Sequence, residues 1–270
     1  MEGAGEGYVH GYSGREGDRL TDQADTLAEL LHSDTFYPSG SVVLEVGCGI
    51  GAQTVALAKR SPEATIVAMD ISTDSLAAAQ ASIRSAGFRN VVFQQANVYS
   101  MTFAPDTFDH VFVCFVLEHL SRPREALAHL RQVLKPGGTI TVIEGDHGSA
   151  YFHPESPNAR KAIRCLIELQ ARAGGDSLIG RTLYPLLLES GFRHVSVSPR
   201  MVYVDSSRPH LVEGFTRNTF TAMVEGVRER ALAAGLIDET TWTKGIRDLH
   251  RTAEADGTFC YTFFKAVATT

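Results

Sequence analysis

The stretch VVLEVGCGIGAQTVALAKR, residues 42–60, decides the fold. An apolar run ends in three glycines, Gly47, Gly49 and Gly51, and passes directly into a segment with helical character. A strand, a glycine turn and a helix in that order bring backbone N–H groups and a helix N-terminus against a ligand. Glycine there permits tight turns and removes the Cβ atoms that would block approach. With Ala52 next, the spacing fits a relaxed dinucleotide fingerprint, G-x-G-x-x-A, which on its own is a weak signal.

Outward from this stretch, strands and helices alternate. ATIVAMDI (64–71) reads as a second strand, and STDSLAAAQASIRSAG (72–87) as a helix capped by Ser72 or Thr73 and closed by Gly87. NVVFQQAN (90–97) and FDHVFVCFV (108–116) are the third and fourth strands. PREALAHLRQVL is the helix behind them and GTITVIEGD (138–146) the fifth strand. Val/Ile-rich strands separated by helices of this length imply a parallel sheet covered on both faces. Right-handed crossovers then give a doubly wound α/β fold with ligands at the carboxyl ends of the strands.

Before the core, Leu20, Ala24, Leu27, Leu30 and Leu31 predict an amphipathic helix over 20–32. After residue 150 the pattern loosens. Helices are expected over 158–175 and, despite Pro185, over 178–191. A sixth strand is expected at 193–205, a helical insertion at 208–256, and a final antiparallel strand at 257–268. The expectation is one domain: an N-terminal flap and helix (1–35), a core (36–150), and a second half (151–270) whose insertion forms a helical lid.

Composition excludes several classes. An apolar share of 44% suffices for a packed core, and a net charge of −6 without a basic run argues against nucleic acid as partner. Apolar runs such as VFVCFVL (111–117) are too short to span a bilayer. The first 20 residues lack a basic n-region and an apolar h-region, so a cytoplasmic protein is expected. Four scattered cysteines, with no C-x-x-C pair, read as reduced thiols.

Two carboxylates interrogate the glycine loop. Strands leading into a dinucleotide loop are apolar, because a pyrophosphate sits beyond them. Here Glu45 stands two residues before Gly47, which disfavours phosphates and suits a ligand carrying an ammonium or sulfonium charge. Asp70 ends the second strand, where a carboxylate accepts both hydroxyls of an adenosine ribose. Ile71 beside it offers an apolar surface to adenine.

At this point the residues resemble a known family. EVGCGIG (45–51) looks like the first motif, E/D-x-G-x-G-x-G, of class I S-adenosylmethionine-dependent methyltransferases, and VAMDIS (67–72) resembles their ribose-binding acidic motif. QQANVYSMTFAPDTFDHVFVCFVLEHL (94–120) is similar to their adenine-contacting and fourth-strand region. REALAHLRQVLKPGGTITVIE (124–144), with its L-K-P-G-G turn, is similar to the helix and fifth strand. The resemblance covers about residues 40–145 and is nearest to the ubiquinone/menaquinone-biosynthesis-like small-molecule subgroup. It implies a Rossmann-like, seven-stranded, mostly parallel sheet and S-adenosyl-L-methionine as donor, leaving S-adenosyl-L-homocysteine.

The family implies that Gly47, Gly49 and Gly51 pass under the methionine part of the donor. Glu45 holds the methionine amino group and Asp70 takes the ribose hydroxyls. Asn97, followed by Val98, replaces an Asp that binds the adenine amino group in many members, and an amide oxygen can still accept there. The Cys114 backbone faces the methionine, Phe115 lines the donor channel, and an N-terminal flap with Tyr8, His10 and Tyr12 folds across the donor.

The acceptor side is open in the sequence. Methyl transfer from a sulfonium is an in-line displacement, and a base is needed only when the acceptor must lose a proton. His119, with Glu118, follows the fourth strand. EGDHGSAYFHP (144–154) gathers Glu144, Asp146, His147, Tyr151 and His153, against the plain alternative of a solvated loop. The spacing of Asp146, His147 and His153 matches no tight metal-ligand pattern. His147, His119 and Asp146 are the candidate acid–base groups. Arg181 and Arg200 are candidate anchors for an acidic acceptor, and Tyr184, Tyr203, Tyr261 and Phe259 candidate pocket walls. The expected activity is methylation of a small molecule, carbon methylation of an acidic, enolisable acceptor such as a 2-oxo acid in particular, by a monomer or homodimer. N- or O-methylation is the near alternative. A nicotinamide-dependent oxidoreductase and a non-catalytic S-adenosylmethionine-binding protein are the other classes.

Overall fold

A computed structural model describes residues 23–24 and 26–270. Tyr8, His10 and Tyr12 of the expected flap lie outside the described residues. In chain order the first elements are α1 (26–32), β1 (Val42–Val46), α2 (Ala52–Arg60), β2 (Thr65–Asp70), α3 (Thr73–Ser85), β3 (Val91–Gln95) and β4 (Phe108–Cys114). Next come α4 (Pro123–Val133), β5 (Leu134–Gly145), β6 (Tyr151–His153), α5 (Pro157–Arg172), α6 (Leu183–Glu189) and β7 (Arg193–Val204). Helices α7 (Pro209–Leu211), α8 (Ala222–Glu225), α9 (Arg228–Ala233) and α10 (Glu239–Arg251) precede β8 (Thr258–Thr269). A π-helical stretch, Val212–Thr221, joins α7 to α8.

The chain forms two compact units. The first comprises Ala28–Glu144, Ile179–Arg200 and Phe264–Thr270. Its sheet runs β3-β2-β1-β4-β5-β8, with β7 paired to β8. β1 is parallel to β2 and to β4, with Leu44 opposite Val67 on one side and Val111 on the other. β2 is parallel to β3, and β4 to β5. Because side chains alternate across a sheet, Leu44, Val46, Val111, Val113, Ile140 and Val142 share one face. They pack there with Leu127 and Leu130 of α4 and Leu183 and Leu187 of α6. Strand order reverses between β1 and β4, and the glycine loop leaves β1 at that switch point, where such sheets bind ligands.

Local chemistry explains the helix ends. Ser72 caps α3, its hydroxyl accepting from the Ser75 N–H at 3.2 Å, and Gly87 follows with φ 79°. Pro185 does not break α6 because it is the third helical residue, where an N–H has no intrahelical acceptor. The expected helix at 178–191 divides between Thr182 and Leu183: Ile179–Thr182 is a 3₁₀ turn and Leu183–Glu189 is α-helix.

The second unit comprises Gly145–Leu178 and Met201–Phe263 with the described residues up to Leu27. Its helices α5 and α10 meet closely at Gly245, where a Cβ would stand 2.6 Å from the Asn158 carbonyl oxygen. Ser156 caps α5 and its hydroxyl also donates to Asp248 of α10 at 2.6 Å. Strand β6 was not expected: three residues are too few for an alternation to show, and antiparallel pairing with Thr258–Cys260 makes it. It brings the described strands to eight, one more than the sequence implied.

Candidate active site

In the first unit the glycine loop is organised by Asp70. One carboxylate oxygen accepts the Gly49 N–H at 2.8 Å and the other the Ser72 N–H at 2.9 Å, while the Cys48 N–H donates to the Met69 carbonyl at 2.9 Å. Gly47, Gly49 and Gly51 all have positive φ (67°, 53° and 84°). A Cβ on Gly47 would lie 2.6 Å from Val116 Cγ2, and one on Gly51 3.0 Å from Ala79 Cα. A Cβ on Gly49 would meet nothing within 4 Å, so the middle glycine borders open space. Ile71, next to Asp70 in sequence and just past the end of β2, is exposed.

Glu45 is buried, and its Oε2 has no hydrogen-bond partner among the described residues. Burial pushes its carboxyl up to about 8. The Thr54 hydroxyl opposes that rise and the Asp70 charge adds to it. An orphaned buried acceptor beside a glycine turn open at Gly49, with a ribose-type carboxylate at Asp70, fits a donor bearing an ammonium group and an adenosine. Asn97 uses its side-chain oxygen to accept the Tyr99 N–H at 2.9 Å, which leaves that oxygen one further lone pair. Val98 is buried in the core, and its carbonyl lies 3.2 Å from His129 Nδ1. Cys114 ends β4, with its thiol pushed up by burial and by the carboxylates of Glu144, Glu45 and Glu118. Phe115 follows in the left-handed region, φ 57°, which an L side chain rarely adopts.

Several residues expected to meet the acceptor do other things. Glu144 is fully buried and its Oε1 accepts the Val116 and Leu117 N–H groups at 3.0 and 2.7 Å. Burial and the Glu118 charge push its carboxyl well up, against those two N–H groups. Arg200 is ion-paired with Asp34, which also receives Lys265 Nζ at 2.6 Å, so its guanidinium is committed inside the unit. Burial raises the Asp34 carboxyl, but the two cations more than reverse this and hold it at about 2. His119 lies 3.7 Å from Glu118. Arg181 sits on the Ile179–Thr182 turn, and Tyr184 is exposed on α6.

In the second unit, Asp146 is a capping residue: its carboxylate accepts the Gly148 N–H at 3.0 Å and starts the turn His147–Ser149. His147 is buried, its Nδ1 2.8 Å from the Tyr261 hydroxyl, with Phe220 edge-on to its ring. Gly145 makes room for this pair, since a Cβ there would overlap the Tyr261 hydroxyl. Phe215, Phe220 and Phe263 pack against the Tyr261 ring, and Phe259 joins them through Phe215 and Phe220. Phe259 and Tyr261 are therefore buried members of an aromatic cluster. Tyr151, His153 and Tyr203 are exposed on β6 and β7, where strand alternation turns them outward. Sequence reasoning missed the His147–Tyr261 pairing and the Glu144 clamp. Gly145, unexplained at the end of a strand, was the available signal.

The fold and this loop define an α/β nucleotide-binding domain of the methyl-donor kind. Residues 43–138 match the family model of the methyltransferase domain. It is 30% identical over 220 residues, 80% of this chain and 60% of the relative, to an uncharacterized 37.1 kDa protein in a transposon of Streptomyces fradiae. It is 31% identical over 106 residues, 39% of this chain and 46% of the relative, to the demethylmenaquinone methyltransferase of Bacillus subtilis. The chain spans roughly half the length of the curated relatives it matches. Among solved structures the [4+2]-cyclase SpnF shares the fold, with a TM-score of 0.58 at 21% identity over 91% of this chain and 81% of that one. Among the described residues no helix is long and apolar enough to cross a membrane.

Proposed function

We propose that this protein is an S-adenosylmethionine-dependent methyltransferase acting on a small molecule. The observation that carries the reading is Glu45: a buried carboxyl with an orphaned oxygen, two residues before a glycine loop that Asp70 holds open at Gly49. A pyrophosphate would give that carboxyl no partner and would keep it protonated, whereas a methionine ammonium would favour its ionised form and be matched by it. Bound S-adenosylmethionine supplies the electrophilic methyl carbon. Glu45 holds the amino group, Gly47, Gly49 and Gly51 admit the methionine chain, Asp70 takes the ribose, and Ile71 and Asn97 flank the adenine. Calorimetry with S-adenosylmethionine, S-adenosylhomocysteine and NAD tests this. Binding of NAD alone would replace the reading with a nicotinamide-dependent oxidoreductase.

Within that reading His147 takes a proton from the acceptor, and Tyr261 orients it. An acceptor that must be deprotonated follows, and carbon methylation of an acidic, enolisable compound such as a 2-oxo acid is the form we favour. Arg200 is ion-paired with Asp34, and Arg181 on the Ile179–Thr182 turn is the candidate we keep for the acidic group. N- or O-methylation of another metabolite is the second form. A metabolite-pool screen with isotopically labelled donor, read by product mass and NMR, separates them.

A further inference from the structure

Glu144 ends β5 as a fully buried carboxyl whose Oε1 accepts two successive backbone N–H groups, Val116 at 3.0 Å and Leu117 at 2.7 Å. Those two residues follow Phe115, whose φ of 57° is costly for an L side chain and persists only where neighbours over-determine it. The strained residue is held on both sides. Its own N–H donates to the Ile143 carbonyl at 2.9 Å, and the next two N–H groups are gripped by Glu144. The consequence reaches the glycine loop through one side chain. Val116 Cγ2 occupies the place of the missing Cβ of Gly47, 2.6 Å from where that atom would be. Gly47 itself sits at φ 67°, with the Cys48 N–H tied to Met69 and the Gly49 N–H to Asp70. The loop is thus fixed from one side by Asp70 and backed from the other by Val116.

We propose that Glu144 is a positioning residue for the methyl donor: by clamping the Val116 and Leu117 N–H groups it holds the Phe115 turn and seats Val116 behind Gly47. The proposal rests on the donor reading given above. It moves Glu144 from the acceptor to the donor, and it extends the donor site to a residue that never has to touch the ligand.

The test uses S-adenosylhomocysteine as probe, with its affinity by calorimetry and the amide signals of Val116 and Leu117 by NMR in the full chain. Glu144→Ala leaves two N–H groups without their acceptor and weakens S-adenosylhomocysteine by about tenfold or more, with both amide signals displaced. Glu144→Gln keeps an oxygen that accepts both bonds and restores affinity to within about threefold of wild type. A lowered melting temperature in Glu144→Ala with undiminished affinity would overturn the proposal, as would equal losses in the Gln and Ala variants. Should Glu144→Ala fail to fold, Val116→Ala decides: it keeps the clamp, removes the backing of Gly47, and must weaken the ligand several-fold. Wild-type affinity in that variant would overturn the proposal. If wild type itself binds no S-adenosylhomocysteine, the donor reading falls and the proposal with it.

Discussion

His147 Nδ1 lies 2.8 Å from the phenol oxygen of Tyr261, and both side chains are buried. The backbone of His147 is fixed separately, its N–H donating to the Ser177 carbonyl at 2.9 Å. A bond at one ring nitrogen sets the tautomer and the direction in which the other acts. Loss of a positioned general base lowers turnover by about 10²–10⁴-fold, and that is the expected effect of His147→Ala, with S-adenosylhomocysteine affinity retained. Tyr261→Phe keeps the ring in its aromatic cluster and removes only the bond. It should lower turnover by about tenfold, the equivalent of one hydrogen bond to the reacting group, and displace the pH–rate profile. Labelled methyl transfer to the acceptor found by screening measures both. Unchanged turnover in His147→Ala would take the base out of the mechanism.

Gly145 makes a separate claim about the same pair. Its φ is not in the left-handed region, so the glycine is required by space, not by backbone conformation. A methyl group on Gly145 would overlap the Tyr261 hydroxyl, and overpacking of this kind costs about 1–3 kcal/mol. Tyr261→Phe deletes the atom that is struck. The double variant should therefore recover part of the loss, with a coupling of about 0.5–3 kcal/mol in a denaturant-unfolding cycle. Simple additivity would place the strain elsewhere.

The glycine-loop part of the fold was legible because its pattern is local. Strand, glycine turn and helix are consecutive, and Asp70 is one strand further on, so Glu45, Gly49 and Asp70 meet through adjacent parallel strands. Pairings between residues far apart in sequence were not. Tyr261 reaches His147 across 114 residues, and Lys265 reaches Asp34 across 231. Local pattern carries no information about such pairs. Nor does residue type reveal structural work: Asp146 caps the His147–Ser149 turn, and Glu144 clamps the Val116 and Leu117 N–H groups.

Arg200 and Arg181 now separate by experiment. Arg200 is mostly buried and shares Asp34 with Lys265, whose own side chain is almost wholly buried. Arg200→Ala should cost about 1 kcal/mol in urea unfolding, since Asp34 is half exposed and retains Lys265, and should leave the acceptor KM alone. Arg181→Ala should raise that KM. A raised KM in the Arg200 variant would return it to the acceptor site.

On the proposed donor reading, Glu45 ties stability to donor binding. Its carboxyl is pushed from 4.5 up to about 8, by burial first, with the Thr54 hydroxyl opposing and the Asp70 charge assisting. Between those values the folded chain keeps a proton that the unfolded chain has released. The contribution of Glu45 to stability is therefore fully present below pH 4.5 and declines as pH rises through about 8. Glu45→Gln removes that dependence. Its stability relative to wild type should grow from near zero at pH 4.5 to a gain on the order of 3 kcal/mol at pH 7, read as unfolding midpoints across pH. The same substitution should weaken the donor, because an amide cannot match an ammonium charge. In wild type an arriving ammonium favours the ionised carboxylate, so binding of S-adenosylhomocysteine near pH 7 should expel a proton. The calorimetric enthalpy should then vary with the ionisation enthalpy of the buffer in wild type and not in Glu45→Gln. A wild-type enthalpy independent of buffer would mean that Glu45 stays protonated on binding and that the amino group is held by another residue.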